Sequence, residues 1–258
     1  MALVVPLQTD KPIFMKKHFV SITRPLLLVS VLFLFMQTIQ AQIVNEATRK
    51  KFSIGVGMFT DIWNNVPYYS YKGSLPLTVE EQFDMRSINQ GFQALALYNV
   101  PFGRSPLGFS IGLGFRAENL YVKDAYFKST RDSTYMVRVP DSIYVRRSKL
   151  ALPYIELPVE FYIKTKFKMV VAAGFKIGYM FPAHAKFVGE NYNYYDPVEY
   201  RYKQREIQNL ETFSYGPTFR IGYRWFHAYS YFSISKIFKK DKGPDMYPIT
   251  VGFLLMPY

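Results

Sequence analysis

The clearest signal in the chain is an alternation of apolar residues with small or polar ones, recurring from position 52 onward. In "PLGFSIGLGFRAEN", Leu107, Phe109, Ile111, Leu113, Phe115 and Ala117 fall on one side, and Gly108, Ser110, Gly112, Gly114, Arg116 and Glu118 on the other. A period of two gives each set one face of a β-strand, whereas a helix would scatter both around its circumference. "KFSIGVGMF" sets Phe52, Ile54, Val56 and Met58 against Ser53, Gly55 and Gly57. "KMVVAAGFKIGYMF" sets Val171, Phe175, Ile177 and Tyr179 against Gly174, Lys176 and Gly178. "TFSYGPTFRIGYRW" sets Phe213, Tyr215, Phe219, Ile221, Tyr223 and Trp225 against Ser214, Gly216, Thr218, Arg220, Gly222 and Arg224.

With less regular runs at 88–99, 227–237 and 247–257, and with "LPYIELPVEFYI" from Leu152, the strands number eight. Their connections alternate long (60–87, 119–148, 181–211) and short (100–105, 164–167, 225–227), with 238–246 intermediate. Short turns at one end and long loops at the other are the plan of a transmembrane barrel, which must close because an open edge in lipid leaves backbone groups unpaired. A soluble barrel or sandwich would send its large apolar residues inward. Here glycine, serine and threonine suit a narrow lumen, and leucine, isoleucine and aromatics suit an outer band. Tyr98, Tyr179, Tyr223, Trp225 and Tyr258 fall near strand ends, where amphipathic rings sit at headgroup level. The expected fold is all-β, an eight-stranded antiparallel transmembrane β-barrel with long external loops.

In "LPYIELPVEFYI", Ile155, Leu157, Val159, Phe161 and Ile163 point outward, and Tyr154, Glu156, Pro158, Glu160 and Tyr162 point into the lumen. Both prolines, Pro153 and Pro158, are read as sitting on the polar side, where they limit ladder hydrogen bonding and predict a bulge or local twist. Glu156 and Glu160 stand roughly 13 Å apart along the strand, four residues at about 3.3 Å each, too far for a glycosidase pair. An eight-stranded lumen is narrow enough for side chains to fill, so charges in it must be paired or wetted. The expected interior network is Arg116, Glu118, Glu156, Glu160, Lys176, Arg220 and Arg224.

"ALPYIELPVEFYIK", followed by "MVVAAGFKIGY", resembles the proline-bracketed strand and following glycine-rich strand of the PorT-like outer-membrane β-barrel proteins of Bacteroidetes. The resemblance is sharpest over residues 150–178 and centres on Glu156, Leu157 and Pro158. It implies an exported barrel with no catalytic residue to carry over. It also implies an accessory role in secretion or surface assembly.

The ends and the charge agree with export. "MKKHFVSITRPLLLVSVLFLFMQTIQAQ" has basic Lys16 and Lys17, an apolar run from Leu26 to Met36 and a small residue, Ala41. That is the order of a secretory signal, and the run is short for a spanning helix. Residues 1–41 are read as an N-terminal extension and signal peptide, and residues 42–258 as the barrel. Removing 1–41 leaves 28 basic and 18 acidic side chains, still strongly cationic. An exported chain without zinc-ligand spacing or a basic helix is no nucleic-acid binder.

No enzyme site is evident, and no cofactor or metal is expected. Only His184 and His227 follow the signal, predicted at opposite ends of the barrel, and Ser214 and Ser233 have no triad spacing. His184 with Glu190 remains as a loop pair. A lipid-modifying enzyme or protease, and a narrow solute channel, stay as alternatives to a structural or interaction role. The candidate contact surface is the loop "ENYNYYDPVEYRYKQR", through Tyr192, Tyr194, Tyr195, Tyr200, Arg201, Tyr202 and Arg205. Tyrosine offers amphipathic area and arginine pairs with phosphate or carboxylate, so the partners expected are outer-membrane lipid and lipopolysaccharide, or proteins of an envelope machine.

Overall fold

An alternating segment settles as a strand when its two faces meet different surroundings, and register then follows from which face is buried. The computed structural model describes residues 51–72, 78–103, 105–140, 143–165, 167–190 and 199–256. The signal peptide expected over residues 1–41, and Tyr192, Tyr194, Tyr195 and Tyr258, lie outside the described residues. In chain order the strands are β1 (Phe52–Asn64), β2 (Tyr68–Lys72), β3 (Thr78–Gln82), β4 (Gln90–Pro101), β5 (Leu107–Val122), β6 (Ala125–Ser129) and β7 (Thr134–Arg138). They continue as β8 (Val145–Lys164), β9 (Met169–Met180), β10 (His184–Glu190), β11 (Glu199–Arg205), β12 (Phe213–Tyr223), β13 (Phe226–Phe232) and β14 (Tyr247–Leu255).

Eight of them close a barrel in the order β1, β4, β5, β8, β9, β12, β13, β14 and back to β1, every pair antiparallel. Closure leaves no edge within the barrel wall. Each long connection carries further strands: β2 pairs β3, β6 pairs β7, and β10 pairs both β11 and the upper part of β8. The short turns gather at the opposite end, which faces the periplasm in barrels of this plan.

The barrel wall is inside out relative to a soluble protein. Outward Leu113 and Phe161 are 61% and 62% exposed, whereas inward Arg116 and Lys176 are 0% and 2% exposed. Only lipid makes such a surface favourable, because in water it would leave a continuous apolar belt unburied. From Ile155 to Ile163 the belt runs about 26 Å along β8, which a tilt of about 40° projects to roughly 20 Å, near the height of an outer-membrane apolar band. Aromatics rim both ends. Phe52 and Tyr98 pack at 5.1 Å near the short turns, and Tyr179 and Phe213 at 5.7 Å near the long connections.

Above that second rim the polarity inverts without a change of period. Along β5 the inward residues change from Arg116 and Glu118 to Leu120 and Val122, and along β8 from Glu156 to Leu152 and Leu150. Outward positions change from Phe115 and Ile155 to Asn119, Lys149 and Arg147. There the strands have water outside, and apolar residues turn inward. They form a core with Trp63 from the upper end of β1 and with Phe83, Phe127, Ile207, Phe238 and Met246 from the connections. Backbone bonds tie the connections together, among them Thr134 N–H to the Lys242 carbonyl at 2.8 Å and Glu211 N–H to the Ile237 carbonyl at 2.8 Å.

The bulge expected at the prolines is absent. β8 keeps one register against β5 from Leu107 opposite Ile163 to Val122 opposite Ser148, and one against β9 throughout. Pro158, which has no N–H to donate, faces the stretch of β5 where pairing lapses at Gly112 and Leu113, so the flanking pairs hold the register. Pro153 lies on the outer face in phase with Ile155, not on the polar one. The register shift along β8 lies higher, in its pairing with β10, where Arg147 pairs Val188 but Val145 pairs Gly189.

Candidate functional site

Two groups of charged residues stand out, one inside the barrel and one outside it above the lipid belt. In the lumen, Arg116 lies between Glu118 and Glu156, pairing with both. Lys176 Nζ lies 2.8 Å from Glu156 Oε1, and Arg220 Nη2 lies 2.6 Å from Glu160 Oε2. Rings cover the cations: Arg116 sits 4.5 Å from the Tyr154 centroid and Lys176 3.9 Å from that of Tyr231. A buried charge is tolerated only with such partners. Asp61 joins this interior, accepting from Thr250 Oγ1 at 2.6 Å.

Arg224 does not enter the lumen. It is exposed in the tight turn between β12 and β13, in the left-handed region at φ 55°, where the alternation of β12 has ended. His227, expected in that short connection, instead points inward from β13 and is buried. Its Nδ1 faces Arg220 Nη1 at 3.0 Å and its Nε2 faces the Arg224 carbonyl at 3.2 Å. Since the guanidinium can only donate, Nδ1 accepts and Nε2–H donates. Gly222 leaves room for this ring, since a Cβ there would run into it.

These contacts hold the wall together and assemble no reactive group. Glu156 and Glu160 each engage different cations. Ser214 Oγ bonds Tyr231 at 2.8 Å and accepts from Arg116 Nη2 at 3.1 Å, and Ser233 Oγ donates to the Ser235 carbonyl at 2.9 Å. His184 and Glu190 begin and end β10, roughly 20 Å apart at about 3.3 Å per residue, and so make no loop pair. Among the described residues no group of three or more His, Asp or Glu converges as metal ligands.

The second group lies on the water-exposed sheet made by the upper part of β8 with β10 and β11. Register places Lys149, Lys186 and Lys203 side by side across the three strands. One step up the row is Arg147, Val188 and Arg201, and one step down it is Ala151, His184 and Arg205. All lie on the face that continues the lipid-facing row of β8. Arg201 and Arg205 thus stand on this face, and Tyr202 projects from the opposite one, in line with Phe187. Tyr200 pairs Gly189.

Like charges directly opposite one another in a sheet destabilise it. The strain shows in the side chains. Partial burial, then Lys203, Lys149, Lys186 and Arg205, hold His184 below the ordinary imidazole pKa of 6.5. Among the described residues no carboxylate forms an ion pair with Arg147, Lys149, Lys186 or Lys203. Lys149 Nζ donates instead to Asn119 Oδ1 at 2.7 Å. Where the register shifts, two consecutive arginines, Arg146 and Arg147, come to one recess, which Lys186, Val188 and Arg201 complete, with a volume of about 140 Å³. A bulge re-aims side chains in this manner. Arranged so, the face can hold anions.

The sequence pointed to Arg201 and Arg205 but not to Arg147, Lys149, Lys186 and Lys203. Period two was present in "RYKQR" and "HAKFVGE", but nothing along the chain showed that the two segments and the top of β8 form one sheet.

Two structures of Ail, the attachment invasion locus protein of Yersinia pestis, are similar to this chain, one of them in complex with the heparin analogue sucrose octasulfate. They have 10% and 11% identity and TM-scores of 0.32 and 0.33, and each alignment covers 80% of this chain and 97% of that one. The comparison with curated proteins found no match. The model of a family described as the outer membrane protein beta-barrel domain matches residues 40–239. That match takes in most of the closed wall and the basic sheet above it, so the chain belongs to the outer membrane protein beta-barrel domain family and is a bacterial outer-membrane barrel.

Proposed function

We propose that this barrel is a non-enzymatic interaction protein of the outer membrane, exported by the signal over residues 1–41 and acting as an accessory component of secretion or surface assembly. The observation that carries the reading is the cation face on β8, β10 and β11, whose like charges oppose one another across three strands. A surface that destabilises its own sheet is most simply explained by a partner that neutralises it. The lumen, in contrast, is filled by paired charges and rings, which is scaffolding. The likeness of "ALPYIELPVEFYIK" to PorT-like barrels supports the finer assignment to an envelope machine.

Affinity capture from detergent-solubilised outer membranes tests this. The native chain is expected to recover a reproducible envelope partner, and the triple variant Arg147→Gln, Lys186→Gln, Arg201→Gln to lose it. Recovery of no partner, or equal recovery by the variant, would overturn the accessory role.

A further inference from the structure

We infer that the recess between β8, β10 and β11 binds phosphate groups of the glycolipid that forms the surrounding outer leaflet. The inference rests on the reading of this face as an interaction surface and names its ligand.

Chemistry and position both lead there. The recess is lined by Arg146, Arg147, Lys186, Val188 and Arg201, so four of its five side chains are cationic. Guanidinium forks match the paired oxygens of a phosphate, and the ammonium of Lys186 supplies a point charge beside them. The register shift delivers Arg146 and Arg147 together, where a regular strand would send them to opposite faces. With a volume of about 140 Å³ the recess admits a compact anionic group, such as one phosphate of a larger partner.

The face also continues the lipid-contacting row. Ile155, Pro153, Ala151, Lys149 and Arg147 follow one another at every second residue on the outside of β8. Lys149 and, at the recess, Arg147 lie about 20 and 26 Å along the strand from Ile155, or roughly 15 and 20 Å above it after tilt. That height is beyond the roughly 5–8 Å headgroup layer of a phospholipid and at the level of the sugars that a glycolipid carries. In an outer leaflet built of phosphorylated glycolipid, the anions concentrated there are phosphates on sugars. A fixed set of cations would take the place of the mobile counterions that otherwise neutralise them.

The test uses the full barrel inserted in nanodiscs of zwitterionic phospholipid, doped with a diphosphorylated glycolipid or with its dephosphorylated form. Melting of the barrel is followed by heat-modified gel mobility. The phosphorylated lipid is expected to raise the melting temperature of the native chain, in a salt-sensitive manner, and the dephosphorylated lipid to leave it unchanged. In the variant Arg147→Gln, Lys186→Gln, Lys203→Gln, the melting temperature without glycolipid should equal or exceed that of the native chain, because like charges that face one another are removed. Its affinity for the phosphorylated lipid should fall at least tenfold. A merely structural role for these residues would lower the first value and leave the second alone. Arg147→Gln by itself reads the same loss should the triple variant fail to insert.

An equal response to both glycolipids, or an undiminished response in the variants, overturns the inference. A soluble sulfated polysaccharide separates this failure from failure of the broader reading. If it binds the native chain and not the variant while the phosphorylated lipid has no effect, the face is an interaction surface for another ligand. If neither binds, both readings fall.

Discussion

Single residues in this barrel take their meaning from the medium on each side of the wall. Glu156 shows it most sharply: its neighbours in sequence, Ile155 and Leu157, meet lipid, while its carboxylate meets Arg116 and Lys176. Replacing it by alanine leaves two buried cations without their main anion, and removing one partner of a buried ion pair costs about 3–5 kcal/mol. Glu156→Ala is therefore expected to unfold at markedly lower urea concentration in lipid vesicles than the native chain. Glu156→Gln, which keeps an acceptor in place, should fall between them, and equal stability of Glu156→Ala and the native chain would contradict this role. The inward row was legible from alternation because glycine and serine flank the charged residues. Arg224 misled because period two can be counted straight into a turn. Asp61 was missed because its inward neighbours on β1, Phe59 and Trp63, are large and apolar, which hides the small-and-polar pattern that marks the lumen elsewhere.

At the scale of elements, β8 joins the two halves of the account. Its lower part pairs β5 and β9 within the wall, and its upper part pairs β10 outside it. The strand was legible, but its prolines predicted a bulge that the ladder does not have. Flanking pairs fix a register more strongly than one missing N–H disturbs it. β10 was read as loop because a seven-residue strand has too few alternations to stand out. His184, at its start, reports on the charge of the sheet. Below pH 6.5 the unfolded chain takes up a proton on His184 that the folded sheet resists. Stability is therefore complete above that pH and is lost as pH falls through the lower folded value. A bound polyanion reverses the bias by favouring the charged ring. Imidazole NMR, assigned with His184→Gln, should find its pKa below 6.5 in neutral nanodiscs and higher once phosphorylated glycolipid is present. A value at or above 6.5 in the neutral bilayer would show that the lysines around it do not act as described.

On the scale of the whole molecule, one chain folds in two solvents and carries one period of alternation through both. Inside the membrane it places polar residues inward, and above the membrane it reverses them around the core that contains Trp63, Leu120, Leu150 and Phe238. The barrel was legible because strand count and loop alternation survive without tertiary information. The sheet above it was not, since pairing of β8, β10 and β11 depends on contacts far apart in sequence. The central claim is that the cation face stands outside the cell just beyond the lipid belt. The native sequence contains no cysteine, so single substitutions report on position directly. Intact cells bearing Lys203→Cys or Leu157→Cys should be treated with a thiol reagent that cannot cross membranes, and labelling compared with that of unfolded chain. The account predicts rapid labelling at position 203 and protection at position 157. Labelling of position 203 only after the cells are opened, or equal labelling at both positions, would contradict it.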